Sequence, residues 1–245
     1  MGRLATPSQA SARSGFKKFL GRYFYFCMAL LIACLSVWGF SHTVDTRLLH
    51  AKPPRPILLW LHAAAFSAWM VVFVAQSALV RLRKVKLHRT LGWLGAALAA
   101  AMLISSYSVS VIMVRFDRTE FGVDLSSSLS ILWCDMIIFG ACMALAIYFR
   151  KRPEYHRRFV FLATCQLMQA TFVRFHLIGV HDLYFPVLDV LIVAGILRDL
   201  LVDGRVNKVY LYVFPSMVLL QAGAMYLKIV NPTWWQSVTD TALAW

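Results

Sequence analysis

The amino-acid sequence predicts an all-α protein, a polytopic membrane domain of seven transmembrane helices with the N-terminus inside and the C-terminus outside. Of the 245 residues, 60% are hydrophobic and only 15% are charged, whereas soluble domains average about 25% charged residues. Seven apolar segments have roughly the 20 residues that a helix needs to cross the hydrocarbon core. Most of the basic residues lie in the short connections between these segments.

The predicted elements follow one another with connections too short to hold a soluble domain. Residues 1–19 form a basic segment predicted to lie in the cytoplasm, and residues 20–229 form a single membrane domain. Its predicted spans are 20–41, 57–80, 91–114, 128–149, 158–178, 184–203 and 208–229. Residues 230–245 form a tail, rich in tryptophan, that is suited to the outer membrane interface.

Each span has its own sequence signature. Span one stays apolar past Cys34 to Phe40, which is too long for a cleaved signal peptide. Span two carries a helical stripe of His62, Phe66, Trp69, Phe73 and Gln76. Span three carries a stripe that begins with the small residues Gly92, Gly95 and Ala99, which favour close helix contact. Spans four to seven are predicted from apolar length, and neither Gly nor Pro breaks any of them near its middle.

The distribution of basic residues predicts the orientation. With the N-terminus in the cytoplasm, 18 of the 25 Lys and Arg residues lie on the inner side, six lie on the outer side, and Arg174 lies within a span. This asymmetry is typical of a multi-pass protein of the cell inner membrane. The net charge of +14 would suggest nucleic-acid binding in a soluble protein. Here it indicates contact with lipid headgroups, so the predicted partners are membrane lipids and not nucleic acid.

Ionisable residues form a predicted polar layer near the outer face. Placing an ionisable group inside a membrane costs free energy, so a function is the default hypothesis for these residues. Counted along the helices, the members fall at similar depth: His62, Asp135, Arg174, His176 and Asp189. One interpretation is a site for a transition metal ion, held by His62, Asp135, His176 and Asp189. The other is a charge network, in which Arg174 pairs with Asp135 and Asp189 only to neutralise charge inside the bundle.

The inner side carries a repeated pattern. KLHRTLGWLG (86–95) and EYHRRFVFLA (154–163) each place a His-Arg pair between positive charge and an apolar helix. One interpretation is that both pairs arise from duplication and lie at the lipid phosphate layer. The other is an inner cofactor site. A longer stretch bears on the choice between these two interpretations. Residues 60–96 read WLHAAAFSAWMVVFVAQSALVRLRKVKLHRTLGWLGA. They resemble half of a cytochrome b561-type transmembrane haem protein.

The resemblance covers roughly residues 57–165, and several uncharacterised bacterial multi-pass families share the same helix pair. In the cytochrome family, four central helices each supply one histidine, and one pair holds a haem near each membrane face. By position, His62, His88 and His156 match ligands of the second, third and fifth helices. The fourth-helix position holds Asp135, and His176 is the candidate replacement. Arg89, Arg157 and Arg158 would meet the haem propionates.

The resemblance therefore implies haem b and a role in electron transfer, which would make the protein a possible oxidoreductase with a redox partner. A second hypothesis is an intramembrane enzyme, whose outer His and Asp residues hold a metal that activates water or oxygen. A third is a non-catalytic transporter or an assembly subunit that contacts other membrane subunits, with Arg174 and Asp189 gating a polar path. The absence of Gly or Pro in the middle of the spans is an argument against transport.

Overall fold

The computed structural model describes residues 7–175 and 183–244, and within these ranges the regular structure is helical without any strand. The helices are α1 (Pro7–Ser41), α2 (Ile57–Arg81), α3 (Val85–Phe121), α4 (Leu129–Tyr148), α5 (Pro153–Gln166), α6 (Gln169–Phe172), α7 (Tyr184–Asp203), α8 (Lys208–Val230) and α9 (Thr233–Ala244). A π-helical turn, Asp45–Leu49, follows α1, and a 3₁₀ turn, Ser126–Ser128, precedes α4. The all-α prediction is confirmed for these residues.

Five helical segments are long and apolar enough to cross a membrane, as judged by length and composition. They are Ser14–Ser41, Ile57–Arg81, Val85–Phe121, Ser126–Tyr148 and Lys208–Val230. These segments correspond to predicted spans one to four and seven, so the membrane character of the chain is confirmed at this level. The count of seven spans and the orientation stay predictions.

The span predicted over 158–178 is not one regular α-helix in the described residues. Helix α5 begins at Pro153 and ends at Gln166, and a turn at Leu167 and Met168 separates it from the four residues of α6. Around this break several backbone bonds join residues three apart, such as Met168 N–H to the carbonyl of Cys165, which is the tighter 3₁₀ pattern. The break needs neither Gly nor Pro, so the sequence argument against a broken span fails here. Residues 176–178 lie outside the described part of the chain.

Other boundaries also differ from the prediction. Helix α1 already begins at Pro7, within the predicted cytoplasmic segment. Helix α3 runs 37 residues and ends at Phe121. The next residue, Gly122, has a φ of +65°, which lets the Val123 N–H bond back to the carbonyl of Asp117. The tail forms α9, which buries Trp235, Thr239 and Leu243 at positions i, i+4 and i+8. It is therefore an amphipathic helix packed on the bundle.

Helix α5 is the centre of the bundle. Every side chain from Phe161 to Gln166 is at most 1% exposed, and a helix that is buried on all sides must be surrounded by other helices. Its neighbours are α4, α7, α8 and α1. Helix α4 also packs against α3, which in turn packs against α2. The polar residues of α5 are therefore held inside the protein.

The small-residue stripe of α3 lies at the α2 contact, as predicted. A Cβ on Gly95 would meet Val72 Cγ1 at 3.4 Å, which is ordinary contact and leaves no room for more. We expect Gly95→Leu to destabilise the protein by about 1–3 kcal/mol because the larger side chain overpacks this contact. Thermal unfolding in detergent measures the effect, and Gly223→Leu is the control because nothing lies within 4 Å of a Cβ there. Equal stability of the two variants would contradict the prediction.

Candidate functional site

The two histidines of the repeated pattern meet at one end of the bundle. This basic end is where α2 connects to α3 (residues 82–84), α4 to α5 (149–152) and α7 to α8 (204–207). His88 lies in the first turn of α3 and His156 in the first turn of α5. Their ring centroids are 6.3 Å apart, with ring planes at 85°. Helix α4 packs between α3 and α5, so the two rings approach each other near its end.

The protein fixes the orientation of His156. Its Nδ1 lies 2.8 Å from the carbonyl oxygen of Ala146. A carbonyl only accepts hydrogen bonds, so Nδ1 carries the proton and Nε2 keeps its lone pair. This is the arrangement that metal-binding histidines ordinarily have, because the carbonyl sets both the tautomer and the ring plane.

His88 is held by its backbone rather than by its ring. Gln76 Nε2 of α2 donates a hydrogen bond to the backbone carbonyl of His88 at 3.1 Å. Within the described ranges, His88 Nδ1 and Gln76 Oε1 are buried and have no hydrogen-bond partner. Buried polar atoms are nearly always bonded, so these two atoms require an explanation.

The two neighbouring arginines have different surroundings. Arg89 is exposed. The guanidinium of Arg157 lies 5.3 Å from the centre of the Tyr25 ring of α1, and its Nε is buried without a hydrogen-bond partner among the described residues. Arg157 therefore points toward α1 and keeps an unused donor at the basic end.

Arg158 has a role that the sequence prediction missed. It is 1% exposed, and its Nε and Nη2 donate to the two carboxylate oxygens of Asp199 at 2.8 and 2.5 Å. Asp203 accepts from both Arg158 and Arg198, at 3.1 and 2.6 Å, and Arg198 also donates to Asp199. We call these four residues the ion network. It joins α5 to α7, so Arg158 is not free to meet a propionate.

A second polar group lies farther from the basic end. Gln166 Nε2 donates to Asp135 Oδ1 at 2.7 Å. Gln221 Nε2 lies 3.2 Å from both Gln166 Oε1 and Asp189 Oδ1. We call this connected set, Asp135, Gln166, Gln221 and Asp189, the Asp–Gln chain. It links α4, α5, α8 and α7 and places the two predicted carboxylates in one hydrogen-bonded structure.

Arg174 is placed elsewhere. Its Nε donates to Thr43 Oγ1 at 3.1 Å, its Nη1 donates to the carbonyl of Ala170, and its guanidinium lies 4.1 Å from the Phe40 ring centre. In residues 7–175 and 183–244, no ion pair joins Arg174 to Asp135 or Asp189. The predicted charge network is therefore replaced by the Asp–Gln chain, in which amides rather than a guanidinium satisfy the carboxylates.

The predicted outer metal site is not assembled in the described part of the chain. His62 Nδ1 lies 3.2 Å from Ser105 Oγ of α3, whereas Asp135 and Asp189 bond to glutamines. His176 lies outside the described residues. Among the residues that are described, no three His, Cys, Asp or Glu side chains are grouped so that they could hold a metal ion.

Comparison with known proteins gives no relative: no family model, no curated protein and no solved structure matches the chain. The functional proposal therefore depends on the geometry of the chain's own residues.

Proposed function

We propose that this protein is a multi-pass protein of the cell inner membrane that binds haem b between His88 and His156 and transfers electrons. The observation that carries the proposal is the spacing of the two rings, 6.3 Å between centroids. A metal–nitrogen bond of about 2 Å, with about 1 Å more to each ring centre, would put two imidazoles that hold one metal up to about 6 Å apart. The measured centroid distance is close to this value.

The surrounding residues support the same site. His156 has the tautomer that leaves Nε2 as the ligand atom, because Ala146 accepts from Nδ1. Arg89 and Arg157, each next to one of the histidines, are the groups proposed to bind the propionates. Bound haem would supply one-electron chemistry, with a potential set by its axial ligands and burial. The chain's own contribution is to orient the two imidazoles and to concentrate positive charge around them.

The proposed membrane arrangement places the basic end in the cytoplasm. The excess of Arg and Lys in residues 82–84, 149–152 and 204–208 supports this orientation. The N-terminus is then inside, the C-terminal helix α9 lies at the outer interface, and seven crossings require the α5–α6 region and α7 to cross as well. A redox partner would exchange electrons with the site from the cytoplasmic side.

The absorption spectrum of the purified protein, loaded with haem, tests the proposal. Wild type is expected to show a Soret band and a sharp reduced α-band, and His88→Ala and His156→Ala are each expected to lose haem affinity by at least tenfold because an axial ligand is gone. His42→Ala, which removes an exposed histidine bonded only to the carbonyl of Trp38, is the control. Haem titration measures the affinity, and circular dichroism checks that each variant is folded.

Two results would contradict the proposal. One is a wild-type protein that binds no haem, and the other is full haem affinity in both histidine variants. Loss of haem in His62→Ala alone would place the site in the outer layer, also against the proposal. A bare transition metal ion is the second candidate for the same pair, because the ring spacing suits any metal that takes imidazole ligands. Metal analysis of haem-free protein separates these two.

A further inference from the structure

Among residues 7–175 and 183–244, no cationic side chain pairs with the two carboxylates of the Asp–Gln chain. Asp135 and Asp189 are partly buried on helices α4 and α7, while Gln166 and Gln221 between them are 0% and 3% exposed. The ion pairs of the described residues lie elsewhere, in the ion network, at Arg55 and Asp117, and in the loops. Arg174, which the sequence offered as the counter-charge, bonds to Thr43 and Ala170.

The same protein treats another buried carboxylate differently. Asp199 is 0% exposed and receives hydrogen bonds from two arginines. The bundle therefore supplies guanidinium groups where it holds a carboxylate in charged form. It supplies neutral amides to Asp135 and Asp189. Within the described part of the chain, the titratable groups that interact with these two aspartates are thiols, Cys134 near Asp135 and Cys165 near Asp189, with Cys142 beside Cys165.

The direction of the hydrogen bonds limits what could neutralise the aspartates. Gln166 presents an N–H to Asp135, and Gln221 presents an N–H to Asp189. A site for a sodium or calcium ion needs several oxygen atoms turned toward one point. Of the two amide oxygens in the Asp–Gln chain, Gln166 Oε1 already accepts from Gln221 Nε2. A proton is the cation that needs no such cage.

We propose that Asp135 and Asp189 are a proton-binding pair, joined through Gln166 and Gln221, which holds at least one proton in the folded protein at neutral pH. A charged carboxylate inside a bundle of membrane helices costs free energy when no cation lies beside it, and a bound proton removes the charge. Because the Asp–Gln chain is continuous, a proton on one aspartate alters the hydrogen bonding of the other. The pair gives the protein a proton-carrying function that does not depend on the proposed haem.

Infrared spectroscopy of the haem-free, full-length protein in lipid nanodiscs tests the proposal. A protonated carboxylic acid has its own carbonyl-stretch band, which shifts in heavy water. Wild type is expected to show this band at neutral pH. Asp135→Asn and Asp189→Asn are each expected to weaken or shift it, and the double variant is expected to lose it. The control is Asp124→Asn, because Asp124 lies in an exposed loop and its carboxylate pairs with Arg118 of α3. This variant is expected to keep the wild-type band.

A second substitution protects the test against misfolding. Asp135→Glu keeps the carboxyl group, so it is expected to retain a band at a changed position. This variant provides the test if the asparagine variants fail to fold. The proposal is overturned if wild type has no such band, if the double variant keeps it in full, or if sodium ions abolish the band at constant pH. The last result would identify a metal-cation site instead.

Discussion

Asp199→Ala is expected to lower the free energy of unfolding by about 3–5 kcal/mol, because it leaves the buried guanidinium groups of Arg158 and Arg198 without their shared partner. Asp199 accepts from both arginines and also from the backbone N–H of Asn207, which caps the start of α8. Asp203 cannot replace it fully, because Asp203 is 37% exposed and already bonds to both arginines. Thermal unfolding in detergent measures the loss.

A double-mutant cycle separates this ion network from simple packing. Removing both members of a buried pair in favour of apolar residues is often close to neutral, so Arg158→Met combined with Asp199→Leu is expected to be more stable than either single variant. Asp240→Ala is the control, because Asp240 is 68% exposed and lies 3.9 Å from Arg118. If the stability changes of the two single variants simply add in the double variant, the two side chains do not interact.

Gly195→Ala is expected to destabilise the protein by about 1–3 kcal/mol although alanine favours helices. A Cβ at Gly195 of α7 would lie 2.9 Å from Tyr210 Cζ and 3.0 Å from Phe161 Cε1, closer than carbon atoms approach. Both rings are 1% exposed, so neither can move away without disturbing the centre of the bundle. Thermal unfolding again measures the change.

The matched control is Gly223→Ala on α8, where nothing lies within 4 Å of a new Cβ. This variant is expected to be as stable as wild type or up to about 1 kcal/mol more stable, because it gains only helix propensity. If Gly195→Ala stabilises the protein as much as Gly223→Ala does, α7 and α8 are farther apart at this point than the structure places them.

Apolar length predicted most of the long helices, including α7, whose bounds Tyr184–Asp203 match the predicted span 184–203, and it failed for α5. Spans one to four and seven were recognised because each is a long run of apolar residues. Helix α5 is covered by protein on all sides, so its sequence does not need to match a lipid environment, and it can carry charge at one end and glutamine at the other. Its break after Gln166 has no Gly or Pro signal in the sequence.

The two polar groups were predictable to different degrees. Asp135 and Asp189 were assigned to one layer by counting residues along the helices, and the structure joins them through Gln166 and Gln221. Their predicted partner Arg174 was chosen by depth and charge, but its guanidinium bonds to Thr43 and Ala170 instead. The ion network was missed because Arg158 and Arg198 were counted as cytoplasmic charges. One signal could have found it: Asp199 and Asp203 lie at i and i+4 on α7, one face of a helix with too much charge for lipid.

The central position of α5 also constrains how the protein is made. Under the proposed arrangement the α5–α6 region crosses the membrane, and α5, with Arg157, Arg158 and Gln166, is a poor candidate for entry into lipid by itself. The aspartates that bond to Arg158 belong to α7, which is synthesised later. A chain that ends before residue 199 therefore holds Arg158 without its main ion partner, and we expect such a nascent chain to be less stable than the finished bundle.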